Sequence, residues 1–312
     1  MPSAFDDDLP PWRSRLVPPP MRAWLRARLA TDGGARILKT LLGEPRIFEW
    51  LHSVAVVQNP DLRALVPPIP PEALRGVVAQ RDVAEFLWTG LLDVDLLLGI
   101  YEEHRDASAP PRPRVLDFGC GCGRLLRFLV GHGDLFELHG CDVAEKHVAW
   151  CRAHLPGVAF ATNAPAPPLG YPDAHFDLVW TLSVFTHLDA PAAATWRAEL
   201  ARILRPGGVL LATLHGPTAL DRVVNEPEVR DLFRLDAAAA TALRTRTRRD
   251  GFAFLPYDAD QLAAAEAGPG YGAAFHAPED VARRWPSAAL ELVAYLPGKL
   301  RGWQDVVVLR WR

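Results

Sequence analysis

The sequence predicts an α/β protein: a seven-stranded, mostly parallel sheet ending in an antiparallel edge hairpin, with an N-terminal helical extension and a helical insert before the last two strands. Three observations carry this. Short apolar runs alternate with helix-period stretches between residues 115 and 216. The run Val115-Leu116-Asp117-Phe118 enters a loop with glycine at Gly119, Gly121 and Gly123. The last two apolar runs, residues 290–296 and 304–309, are joined by a loop too short for a helical crossover.

The elements follow in order. Residues 1–20 are proline-rich and read as irregular, and residues 21–50 carry two helical stretches. Pro71 and Glu72 suit a helix start. Val83, Phe86, Leu87, Leu91, Val94, Leu98 and Tyr101 recur at three- and four-residue steps, the apolar face of a strong helix ending near Ser108. Residues 1–108 are therefore a helical cap or accessory region, and residues 109–312 the α/β domain. After the glycine loop, Leu125, Leu126 and Leu129 predict a helix whose first N–H groups point at a ligand. Strands follow at 135–141, 158–161 and 176–180, and a fifth runs through VLLATLHG after Arg205-Pro206-Gly207-Gly208. Helices carry Ala144, Val148, Cys151 and Leu155, then Ala193, Trp196, Leu200, Ile203 and Leu204, inward. Residues 217–285 read as helices and loops, an insert or lid, with a solvated basic run at Arg244, Arg246, Arg248 and Arg249.

Composition excludes several classes. The 312 residues are 49% hydrophobic with a net charge of −3, which gives no general case for nucleic-acid binding. No run approaches a membrane span. The N-terminus lacks the apolar core of a secretory signal, and four cysteines crowded into residues 120–151 argue for a reducing, cytoplasmic setting. Cys120, Cys122 and Cys141 read as small loop-filling side chains, with a metal as the alternative; zinc sites usually need wider spacing and four ligands. Nothing in the sequence sets the oligomeric state.

Individual residues point to ligand chemistry. Asp142 ends the second strand nineteen positions beyond Gly123, near the offset of a ribose-binding acid; it would alternatively cap the next helix. Asn163 donates to an adenine ring nitrogen or caps its own turn. His187, in SVFTHLD, lies at the carboxyl edge of the sheet and is the first candidate base, with a loop-bonding histidine as the alternative. Tyr271 and His276 form a second candidate set, and Trp303 and Gln304 border an acceptor pocket or begin the last strand.

VLDFGCGCGRLLRFL resembles the first motif of class I S-adenosylmethionine-dependent methyltransferases. FELHGCDVAEKHVAWC resembles their second motif, HFDLVWTLSVFTHLD their fourth strand and following loop, and LARILRPGGVLLATLHG the segment leading to their fifth strand. The resemblance implies a Rossmann-like fold with S-adenosyl-L-methionine as methyl donor. It implies that Asp117 engages the methionine amino group, that Phe118, Gly119, Cys120, Gly121 and Gly123 approach the sugar and methionine portions, and that Asp142 binds the ribose. It places Val143 on adenine, Asn163 at the adenine edge, and Leu182 and Ser183 beside the methyl group. Arg124 stands where a dinucleotide fingerprint wants a glycine, which disfavours a nicotinamide oxidoreductase. The expected reaction is methyl transfer to an oxygen or nitrogen of a small molecule, without metal, because the loop after the fourth strand is apolar with one histidine before Asp189. A S-adenosylmethionine-binding protein that transfers no methyl is the alternative.

Overall fold

The computed structural model describes residues 56–77, 82–265 and 270–312. The expected irregular and helical stretches before residue 51 lie outside them. The elements are α1 (Val56–Gln58), α2 (Pro60–Arg63), α3 (Glu72–Val77), α4 (Val83–His104), β1 (Arg114–Phe118), β2 (Glu137–Asp142), α5 (Glu145–His154), β3 (Val158–Thr162), β4 (Phe176–Thr181), α6 (Ala190–Ile203) and β5 (Leu204–Leu214). They continue with α7 (Pro217–Asn225), α8 (Pro227–Leu232), α9 (Ala237–Asp250), β6 (Phe252–Pro256), α10 (Ala259–Ala265), β7 (Gly272–His276), α11 (Pro278–Arg284), β8 (Leu290–Leu300) and β9 (Gln304–Trp311). The seven-stranded sheet has the order β3-β2-β1-β4-β5-β9-β8. The chain forms two compact units, residues 1–100 with 120–161, and residues 101–119 with 162–312. Among the described residues no helix is long and apolar enough to cross a membrane.

In the first unit, α4 presents Phe86, Leu87, Leu91, Val94, Leu97 and Leu98 inward, the face its periodicity predicts. It also buries Asp93, which accepts a 2.6 Å bond from the Arg124 guanidinium. Arg127 is buried too; burial pushes its pKa down to about 10, and it donates to the Pro67 and Pro68 carbonyls. The expected helix after the glycine loop is absent as a regular element. Gly121 and Gly123 have φ of 51° and 78°, so a right-handed helix cannot begin before Arg124, and Gly131 at φ 88° ends the stretch. What remains is a run of turns around one 3₁₀ turn, Leu126–Phe128, closed by bonds such as Leu129 N–H to the Leu126 carbonyl.

In the second unit, β1, β4 and β5 are parallel, with Leu116 opposite Val179 and Val179 opposite Leu210. All six residues of β4 are buried, as a central parallel strand requires. β9 pairs antiparallel with β5 and with β8, which forms the expected edge hairpin. The 217–285 insert departs from the expectation of helices and loops, because β6 and β7 form a separate antiparallel pair within it. The short apolar run Phe252-Ala253-Phe254-Leu255, bounded by Gly251 and Pro256, was the signal for β6. The pair packs with Leu220, Val223, Val229, Ala240 and Leu243 of the neighbouring helices.

Candidate active site

The glycine loop spends its amides on the protein. Cys120 N–H donates to the Cys141 carbonyl at 3.0 Å, Gly123 N–H to the Cys120 carbonyl at 3.0 Å, and Gly121 N–H to Asp142 Oδ2 at 2.8 Å. The expectation of open N–H groups at a helix N-terminus is therefore corrected at these three positions. A Cβ on Gly123 would stand 2.3 Å from Leu155 Cδ1, so the glycine there serves internal packing. None of the four cysteines forms a disulfide, all are buried, and burial pushes the Cys122 thiol up to about 12.

Asp142 ends β2 and is not the cap of α5, a position held by Ala144. Its Oδ1 accepts the Ala144 N–H at 2.9 Å while Oδ2 accepts that of Gly121. A carboxylate has about four acceptor sites, so roughly two remain for vicinal hydroxyls. Next to it, Val143 is 53% exposed, an apolar surface offered to a ligand.

The carboxyl ends of β1, β4 and β5 lie side by side in the second unit, where open α/β sheets bind ligands. Asp117 is buried at the end of β1. The ring of Phe118 packs on Trp196 at 4.7 Å. A Cβ on Gly119 would meet Val184 Cγ2 at 2.4 Å, and its φ of 80° also favours glycine. After β4, Leu182 is buried and Ser183 is held at φ 58°, a strained value for a residue with a side chain. Thr213 Oγ1 accepts the Ser183 N–H at 2.8 Å, and Gln304 Nε2 donates to Ser183 Oγ at 2.9 Å. Asn163 uses Nδ2 on its neighbour Ala164, while Oδ1 is buried without a protein partner. The Asn163 side chain therefore keeps an open acceptor at Oδ1.

His187 is half-buried in the loop after β4. Its Nδ1 lies 2.9 Å from the Gly272 carbonyl, and a carbonyl only accepts, so Nδ1 carries the proton and Nε2 keeps a lone pair. Burial lowers its pKa from 6.5. Tyr271 stacks on its ring at 4.8 Å, and the Tyr257 hydroxyl lies 3.3 Å from Nδ1. His215, just beyond β5, meets His187 edge-on at 6.5 Å and touches Phe233, Phe275 and Trp303. Backbone bonds from Ala274 to Thr186 and from His276 to His215 dock β7 on these loops. His276 itself is only 3% exposed, with Phe252 and Trp285 against its ring. Sequence reasoning missed Tyr257, His215 and Thr213. The signal for His215 and Thr213 was position, at the carboxyl end of a strand beside β4.

The sheet order, with loops at the carboxyl strand ends and an antiparallel edge, is the Rossmann-like arrangement that the sequence resemblance implies. Residues 115–208 match the methyltransferase domain family. It is 34% identical over 107 residues to 2-methyl-6-phytyl-1,4-hydroquinone methyltransferase of Synechocystis sp., 33% of this chain and 32% of that protein. It is 35% identical over 157 residues to trans-aconitate 2-methyltransferase of Methylobacterium nodulans, 47% and 54% of the two chains. It is 29% identical over 194 residues to malonyl-[acyl-carrier protein] O-methyltransferase of Methylococcus capsulatus, 60% and 64%. The chain thus spans between a third and just under two thirds of these relatives.

Proposed function

We propose that this chain is an enzyme transferring a methyl group from S-adenosylmethionine to an oxygen or nitrogen of a small molecule. One observation carries the reading: a glycine loop whose amides at Cys120, Gly121 and Gly123 are bonded inward, beside a carboxylate with acceptor sites to spare. A pyrophosphate needs N–H donors at that loop; a cationic, ribose-bearing ligand does not. The group fits on two further counts, the exposed Val143 and the orphaned acceptor Asn163 Oδ1.

In this reading Asp142 binds the ribose hydroxyls, Val143 packs on adenine, and Asn163 Oδ1 accepts from its amine. Asp117 takes the amino group of the methionine moiety. The backbone at Phe118, Gly119, Cys120, Gly121 and Gly123 lies along the sugar and methionine chain, with Leu182 and Ser183 beside the methyl. The bound donor supplies an electrophilic methyl on a sulfonium that leaves neutral. The protein's task is then to hold the nucleophile in line, worth up to roughly 7–11 kcal/mol in ideal intramolecular systems, and to accept its proton at His187 Nε2. His276 is the weaker base candidate because its ring is enclosed. Residues 217–285 wall the acceptor side, and Asp93 of α4 braces the glycine loop through Arg124. The net charge of −3 does not favour a nucleic-acid acceptor, and four free cysteines fit the reducing, cytoplasmic setting read from the sequence.

Release of S-adenosylhomocysteine over a panel of small hydroxyl and amine acceptors tests the activity; binding of the donor with no release from any acceptor would contradict it. His187→Ala is expected to lower turnover about 10²–10⁴-fold with donor affinity unchanged. Because burial lowers the His187 pKa, the wild-type rate should climb on the acid side of pH 6.5 and stay level above it. Turnover unchanged in the variant across that range would remove His187 from the chemistry.

A further inference from the structure

We propose that the acceptor is an uncharged aromatic alcohol, a phenol or fused-ring analogue, held flat among the rings around His187. This rests on the methyltransferase reading and narrows its acceptor. Four rings from different segments, Tyr257, Tyr271, Phe233 and Trp303, gather about His187 and His215. All four are half-buried, so each keeps accessible surface. Ring faces of this kind favour a flat, polarisable ligand.

Charge points the same way. The guanidinium over these rings, Arg222 at 5.2 Å from Trp303, is committed to Glu226 by two 2.8 Å bonds. His215 and His276 are held neutral by burial, with pKa values pushed down to about 3. Among the described residues, a carboxylate acceptor placed here would lose its hydration and find this guanidinium already engaged. Nor would it need a base, since it is already ionised. A phenol keeps its proton at pH 7, with a pKa of about 10, and His187 Nε2 has the lone pair to take it. In the transfer the phenol oxygen forms a bond to the methyl carbon while the sulfur–methyl bond breaks. The bonding electrons stay on sulfur, and the phenol proton ends on Nε2.

The full chain, saturated with S-adenosylmethionine, is to be given naphthol, naphthoate and naphthylmethylamine, three acceptors of one size. S-adenosylhomocysteine is read by mass spectrometry and donor binding by calorimetry. The expected result is product from naphthol at least about tenfold faster than from the other two. Tyr271→Ala and Trp303→Leu should each raise the naphthol KM about two- to tenfold, with donor affinity unchanged. Donor binding with naphthoate or the amine methylated as fast as naphthol, or with none methylated, overturns the aromatic-alcohol assignment alone. A folded chain that binds no donor overturns the methyltransferase reading and the assignment with it.

Discussion

Acidification from pH 6.5 to about 4.5 is expected to remove roughly 5 kcal/mol of folding stability through His215 and His276 alone. Both rings are buried, at 5% and 3% exposure, and burial lowers their pKa from 6.5 to about 3. Below pH 6.5 the unfolded chain binds a proton at each histidine while the native chain does not, so stability falls by about 1.4 kcal/mol per pH unit per histidine until the folded pKa is reached. Above pH 6.5 neither state is protonated, and this contribution to the slope vanishes. His276 is the cleaner probe. Its ring is packed by the aromatic side chains of Phe252 and Trp285, and the one polar group acting on it by hydrogen bonding is the backbone of Phe185. His276→Phe should therefore fold and lose about half of the acid slope in urea titrations run as a pH series. A variant with the wild-type slope would show that this histidine charges freely in the native state.

The second large effect belongs to Arg124. Its guanidinium reaches Asp93 on α4 at 2.6 Å and the Thr89 hydroxyl at 3.3 Å, and the Asp93 side chain is fully buried. Arg124→Ala removes the counter-charge of a buried carboxylate and is expected to cost about 3–5 kcal/mol. Pairing Arg124→Met with Asp93→Leu replaces both charges by apolar side chains of similar reach and should recover most of the loss. Chemical denaturation of the two variants and the wild type checks this. Equal stabilities of wild type and Arg124→Ala would mean that the pair contributes nothing, as exposed pairs often do.

What was legible in the sequence is instructive at Arg124. As a residue it disfavoured one fingerprint, and only the fold revealed its bond to Asp93, thirty-one positions earlier. The sheet was readable because each strand carries a strong local signal: β4 is apolar throughout, and the α4 face repeats at helical spacing. The helix after Gly123 was misread because Leu125, Leu126 and Leu129 have helical spacing, while the chain between the positive-φ Gly123 and Gly131 takes turns around one 3₁₀ turn. β6 and β7 were missed because each is five residues long and their pairing spans a helix between them. Asp142 ends β2, the strand position read from the sequence. The His187 tautomer was not readable, since it depends on the Gly272 carbonyl eighty-five positions away. For the same reason Tyr257 and His215 carried no local mark of their nearness to His187.

Calorimetric titration of the full chain with S-adenosylmethionine and, separately, with NAD tests the central claim most directly. The account predicts one saturable site for S-adenosylmethionine and for S-adenosylhomocysteine, no heat from NAD, and loss of the S-adenosylmethionine signal in a folded Asp142→Ala variant. Saturable binding of NAD with none of S-adenosylmethionine would contradict it.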